Sequence, residues 1–84
     1  MREAVASWYQ DAGPTASGRH CYYGLASRTL RFGTRVLVVY DGRRVVATVD
    51  DRGPYVPGRM FDLNQNVAGA LHFTGVHVVR YRVL

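Results

Sequence analysis

Asp50-Asp51-Arg52-Gly53-Pro54, followed by Phe61-Asp62-Leu63, carries the strongest architectural signal in the chain. It closes a run, Arg43 to Val49, in which Val45, Ala47 and Val49 alternate with Arg44, Val46 and Thr48. A period of two is the mark of a β-strand with two different faces. Gly53, Pro54, Pro57 and Gly58 then punctuate Asp50 to Gly58 as a loop, and Arg59 to Leu63 reads as a short extended piece beyond it. Successive side chains of a strand point opposite ways, so of Asp50 and Asp51 one must face the barrel side and its neighbour the other.

Working outward, Asp41-Gly42 joins Thr34–Tyr40 to this run, and Asp-Gly suits the type I′ turn of a tight hairpin. Ala4 to Tyr9 reads as a first strand, ending before the turn-prone Asp11-Ala12-Gly13-Pro14, and Thr15 to Gly24 is irregular and polar-aromatic. On the other side, Asn64 can cap a helix over Gln65 to His72, with Val67, Ala70 and Leu71 as its inward stripe and Gly75 just past its end. Val76 to Leu84 alternates as a last strand. This order suits a closed, mainly β barrel with one helix, because so small a chain cannot leave many strand edges open. A single domain over residues 1–84 is expected, with a thin core, since a chain of this size buries only about 60–65% of its unfolded surface.

The net charge is +5, and all eleven basic residues are Arg. Such a balance favours an anionic partner. No nucleic acid is expected, because the arginines are spread along the whole length with no basic helix stripe and no Arg-aromatic ladder. Cys21 is alone, and His20, His72 and His77 are not at ligand spacing, so neither an internal disulfide nor a metal site is expected, and no cofactor is implied. The adjacent His20 and Cys21 lack an orienting third group for nucleophilic chemistry. No apolar run approaches the roughly 18 residues of a membrane span. Met1 to Trp8 has no signal-peptide core and runs into strand-like sequence almost at once, so either the chain is intracellular or a leader lies outside it.

Three of the six carboxylates fall between positions 50 and 62. Asp62, between Phe61 and Leu63, sits in an apolar setting that raises a carboxyl pKa, and a carboxyl held protonated is what a departing glycosidic oxygen needs. Arg52 would lower the pKa of any Asp it pairs with. Asp before Gly-Pro is also a common turn former, so the tract has a purely structural reading beside the catalytic one. Trp8, Tyr9, Tyr22, Tyr23 and Tyr55 lie in or beside loops, where flat rings with polar tips suit the faces of pyranose rings; Trp8 and Tyr9 fit the core equally well.

Ala6-Ser7-Trp8-Tyr9, Thr15-Ala16-Ser17-Gly18, Arg28-Thr29-Leu30, Phe32-Gly33-Thr34, Asp51-Arg52-Gly53-Pro54-Tyr55, Gly58-Arg59 and Asp62-Leu63 follow the order seen in rare lipoprotein A-like domains, and the resemblance covers nearly the whole chain. It implies a six-stranded double-psi β-barrel with one short helix, about residues 65–72, similar in fold to expansins. It implies cleavage of peptidoglycan glycan strands by a lytic transglycosylase, a lyase that leaves 1,6-anhydro-muramic ends, acting at the cell envelope or outside the cell. Asp51 takes the position of the family's aspartate and ranks first as the catalytic acid/base, with Asp62 second, as partner or alternative. Ser27, Arg52, Tyr55, Arg59, Tyr9, Thr15 and Ser17 are the expected substrate-binding residues, and a monomer is expected. One departure bears on catalysis: where many members read Ala-His-Arg-Thr-Leu, this chain reads Ala26-Ser27-Arg28-Thr29-Leu30. The alternative reading is therefore a non-catalytic, expansin-like module that binds cell-wall glycan.

Overall fold

The computed structural model describes residues 1–10 and 14–84. Its elements are β1 (Arg2–Tyr9), β2 (Gly24–Ala26), β3 (Arg35–Tyr40), β4 (Arg43–Asp51), β5 (Phe61–Asn64), α1 (Gln65–Leu71) and β6 (His77–Val83). The strands close into a barrel in the order β1-β5-β2-β4-β3-β6. Two pairs run parallel, β1 with β5 and β2 with β4, and the remaining four pairings are antiparallel. Closure leaves no long edge open, which is how so short a chain satisfies its backbone. The expected six-stranded barrel with one short helix is what is found.

The barrel interior takes one face of each strand. Leu25, Val36, Val38, Val49, Phe61, Leu63 and Val79 are essentially inaccessible, and each full burial of this kind stabilises by about 1.5–3 kcal/mol. In β4 the inward set is the expected one, although Val45, near the hairpin, is only half-buried. Asp41 and Gly42 have φ of 52° and 76°, as a type I′ turn requires.

Several details depart from the sequence reading, among them the short extended piece read over Arg59 to Leu63, which forms β5 only from Phe61. β1 begins at Arg2, because the long antiparallel β6 pairs Arg2 with Tyr81 and Glu3 with Arg80. β2 was not legible: three residues are too few for a periodic signal, and the strand exists because β4 and β5 hold it from both sides. β4 runs two residues further than read, through Asp50 and Asp51. In α1 the buried residues are Val67, Ala68 and Leu71, while Ala70 is exposed. At 3.6 residues per turn Ala68 stands about 60° from Leu71, so the buried stripe is narrow and simply turned toward that side.

Asn64 caps α1 as expected, its side chain accepting from the Val67 N–H at 3.0 Å. The same side chain donates to the Cys21 and Tyr22 carbonyls, at 3.1 and 3.0 Å, which pins the irregular 15–24 segment to the helix start. His72 closes the helix in a left-handed conformation. The expected Asp11–Pro14 turn falls, but for Pro14, outside the described residues.

Candidate active site

The two carboxylates are brought to one surface by a β-bulge. β2 pairs with β4 as Gly24 with Thr48 and Leu25 with Val49, and the register then slips so that Ala26 faces Asp51. Asp50 is the extra residue. Without the slip Asp50 would stand opposite Ala26; with it, Asp51 does, and bulges are a common means of re-aiming a side chain beside a site. Ala26 also pairs with Asp62, and Asp62 with Ser7. A row therefore runs across four strands: Ser7, Asp62, Ala26, Asp51. With strands about 4.8 Å apart, the backbones of Asp51 and Asp62 stand roughly 10 Å apart, over the small side chain of Ala26.

Burial holds the Asp62 carboxyl above the usual range. The Ser7 hydroxyl, donating to Asp62 Oδ1 at 3.0 Å, and the charge of Arg59 pull it back down, while the charge of Asp51 adds to the rise. Asp62 thus senses the charge of Asp51 along the row. The net effect is a carboxyl group that keeps its proton more readily than a free aspartate, from the cause the sequence suggested.

Asp51 is fixed differently. Its Oδ1 accepts from the backbone N–H groups of Ala16 and Arg52, both at 2.8 Å, and its carbonyl accepts from the Ser27 N–H at 3.2 Å. Asp50 turns away into the fold, where it is 1% exposed and accepts from the Cys21 N–H at 2.8 Å. Burial and the Asp50 charge push the Cys21 thiol pKa up, so the thiolate is disfavoured there.

The expected substrate-binding residues divide into two groups. Arg59, half-buried, and Ser27 line a cleft of about 370 Å³ with Arg28, Thr29, Gly58 and Met60, and Tyr55 stands 76% exposed in the loop before it. Arg52, Thr15 and Ser17 are instead engaged within the loops, and Ser27 is partly so. Ser27 Oγ accepts from the Thr29 and Leu30 N–H groups, at 3.3 and 3.1 Å, so only its O–H proton is left for a sugar. Arg52 directs its guanidinium not at Asp51 but at the Ser27 and Leu30 carbonyls, at 3.0 and 2.8 Å, and stacks 3.8 Å over the Phe32 ring. Thr15 donates to the Arg19 carbonyl, and Ser17 to the Asp50 carbonyl at 2.5 Å. Both therefore serve to wrap the 15–19 segment over the bulge. Tyr9 is half-buried beside Asn64 in the register.

Sequence reading gave Ser7 no role. It is the hydroxyl that orients Asp62, and the available signal was a polar residue inside the otherwise apolar run of β1. Among the described residues, no group of three or more His, Cys, Asp or Glu side chains is placed to hold a metal ion.

A closed barrel with two interlocked parallel strand pairs defines a double-psi β-barrel, here carrying a carboxylate pair on one row across its strands. Two solved structures share the fold: cerato-platanin 3 from M. perniciosa, with TM-score 0.72 at 14% identity over 99% of this chain and 94% of that one, and a Streptomyces papain inhibitor, with TM-score 0.66 at 20% identity over 95% and 94%. The chain belongs to the family described as "Lytic transglycolase", whose model matches residues 1–83. Similar curated proteins are the probable endolytic peptidoglycan transglycosylase RlpA of Synechocystis sp., 40% identical over 92% of this chain and 26% of that protein, and that of Treponema pallidum, 36% identical over 96% and 28%. The endolytic peptidoglycan transglycosylase RlpA of Pasteurella multocida is 34% identical over 98% and 31%. The chain thus spans about a quarter to a third of the length of these relatives.

Proposed function

We propose that this barrel is a single catalytic domain that cleaves peptidoglycan glycan strands as a lytic transglycosylase, with Asp62 as the acid/base and Asp51 as its charged partner. The observation that carries the reading is the Asp62 carboxyl, raised by burial, oriented by Ser7 and standing in one row with Asp51. The names of the relatives supply the substrate class.

The chemistry needs one proton and returns it. Asp62, protonated, donates to the bridging glycosidic oxygen as the bond from the muramic anomeric carbon breaks. Positive charge develops on the sugar ring, and the fixed Asp51 carboxylate stabilises it. Asp62, now a carboxylate, takes the proton of the muramic 6-hydroxyl as that oxygen closes on the anomeric carbon. The product is a 1,6-anhydro ring, no water is consumed, and Asp62 is protonated again. A hydrolase would instead need a second carboxylate to activate or replace water. This order gives the proton-transfer role to Asp62 ahead of Asp51, the reverse of the sequence ranking.

Arg59, Tyr55 and the Ser27 hydroxyl line the approach for sugar, Arg52 holds the 27–30 turn, and Tyr9, Thr15 and Ser17 shape the loop wall. The domain works as a monomer at the cell envelope or outside the cell. The test is incubation with purified sacculi and mass analysis of the products; absence of anhydro-muramic ends at high enzyme concentration sinks the reading.

The exposure of Tyr22, Tyr55 and Trp8 favours a second reading, a glycan-binding module without turnover, in keeping with Ser27 at the position where the family resemblance implies a histidine. Co-sedimentation with insoluble wall material separates the two. Binding that survives Asp51→Asn and Asp62→Asn, with no product from the parent, selects the binder.

A further inference from the structure

The barrel has a second charged face, across from the carboxylate row. In the closed order, β5 and β2 carry Asp62 and Ala26, while β6 and β3 lie on the far side. The residues that alternate outward there are not a random polar mixture. The register sets Arg80 beside Val39 and Val39 beside Arg44, and the next outward row sets Arg82 beside Leu37 and Leu37 beside Val46. Arg35, two residues before Leu37, extends the set. All four arginines are exposed, and among the described residues the carboxylate paired into this face is Glu3, opposite Arg80. Asp41, at the hairpin end, is 3.8 Å from Arg43.

We propose that this β3–β6 face is a docking surface for the carboxylates of intact peptidoglycan, holding the barrel on one strand of the wall while the groove works on another. The argument is charge complementarity. Arg80 and Arg82 are two residues apart on one strand, about 7 Å, and Arg44 stands two strands from Arg80, about 10 Å. That spread offers several guanidinium forks to carboxylates that do not share one sugar. Leu37, Val39 and Val46, between the arginines, are half-buried, and the exposed Val78 beside Arg80 is short, so the face has no aromatic ring to insert into a lipid surface. The face is distinct from the cleft at Arg59, and its occupant rests on the peptidoglycan reading above.

The experiment is co-sedimentation with sacculi freed of phosphodiester-linked polymers by hydrofluoric acid, before and after amidation of their carboxyls with carbodiimide and ammonia. Arg44→Gln with Arg80→Gln is compared with a control of equal net charge, Arg31→Gln with Arg43→Gln. All four positions are exposed, and thermal unfolding confirms that both variants fold. The parent and the control should bind untreated-carboxyl sacculi alike, the face variant about fivefold or more weakly, and amidation should bring the parent down to the face variant. Equal loss in both variants, or binding indifferent to amidation, overturns the proposal. So does binding that the hydrofluoric acid step removes, or that moves to anionic vesicles. Production of anhydro ends is scored in parallel. Its absence from the parent with the face-dependent binding intact refutes the cleavage reading alone, whereas normal production without face dependence refutes this face alone.

Discussion

Gly24→Ala tests the anatomy of the bulge on which the site is built. A Cβ at position 24 would lie 2.4 Å from Asp50 Oδ2, 2.8 Å from its Cγ and 2.9 Å from Oδ1. The carboxylate cannot give way freely, because it is buried and holds the Cys21 N–H. Overpacking costs about 1–3 kcal/mol, and a displaced charged hydrogen bond about 1.5–3 kcal/mol. Against these stands the usual gain of about 0.4–1 kcal/mol for replacing glycine where its backbone is compatible. The net expectation is a loss of about 1.5–5.5 kcal/mol, from a stability on the order of 4–13 kcal/mol for a chain of this length. Urea unfolding measures it, and Tm should fall by roughly 10 °C or more. Gly69→Ala is the control: its Cβ meets nothing within 4 Å in α1, and it should stabilise by about 0.5–1 kcal/mol. In an Asp50→Ala background the clash has no partner, so the Gly24→Ala loss should shrink by about 2 kcal/mol. A loss under about 1 kcal/mol, or the same loss in both backgrounds, refutes the reasoning.

Three further outcomes follow from the site. Ser7→Ala removes a donor that favours the Asp62 carboxylate, so the Asp62 pKa rises further and the basic limb of the pH–rate profile moves to higher pH; a limb that stays or moves down contradicts the assignment. The folded-state pKa of Asp62 lies above its ordinary 3.8, so the parent loses stability as pH rises from there through the folded value. Asp62→Asn has no such loss, and its stability relative to the parent, read by denaturant melts across pH, should grow over that window and then level off. Arg52→Lys gives up the forked hold on Ser27 and Leu30 and the stacking on Phe32, and should cost about 1–2 kcal/mol in urea unfolding.

What the sequence made legible was whatever repeats locally. The Val-rich hairpin, its Asp-Gly turn and the Asn64 cap each have a signal within a few residues, and the closed barrel follows from having too few strands to spare an edge. β2 has no such signal, since Gly24-Leu25-Ala26 becomes a strand only by lying between β4 and β5. The site was half legible for the same reason. Asp62 betrayed its raised pKa through Phe61 and Leu63, whereas the choice of Asp51 over Asp50 for the outer row depends on a register slip against a strand twenty-five residues away. Ser7 orients Asp62 across 55 residues of chain, a relation no local pattern encodes. The sequence left open which Asp, if any, Arg52 pairs with, and its guanidinium reaches past Asp51 to two carbonyls.

The most direct test of the central claim is digestion of sacculi in water enriched in oxygen-18, with mass analysis of the new glycan ends. Closure by the muramic 6-hydroxyl predicts 1,6-anhydro ends without label. Asp62→Asn should make them at least about 100-fold more slowly while staying folded and bound to the wall. Labelled reducing ends would mean that water is the nucleophile, and unlabelled anhydro ends formed equally fast by Asp62→Asn would remove Asp62 from the chemistry.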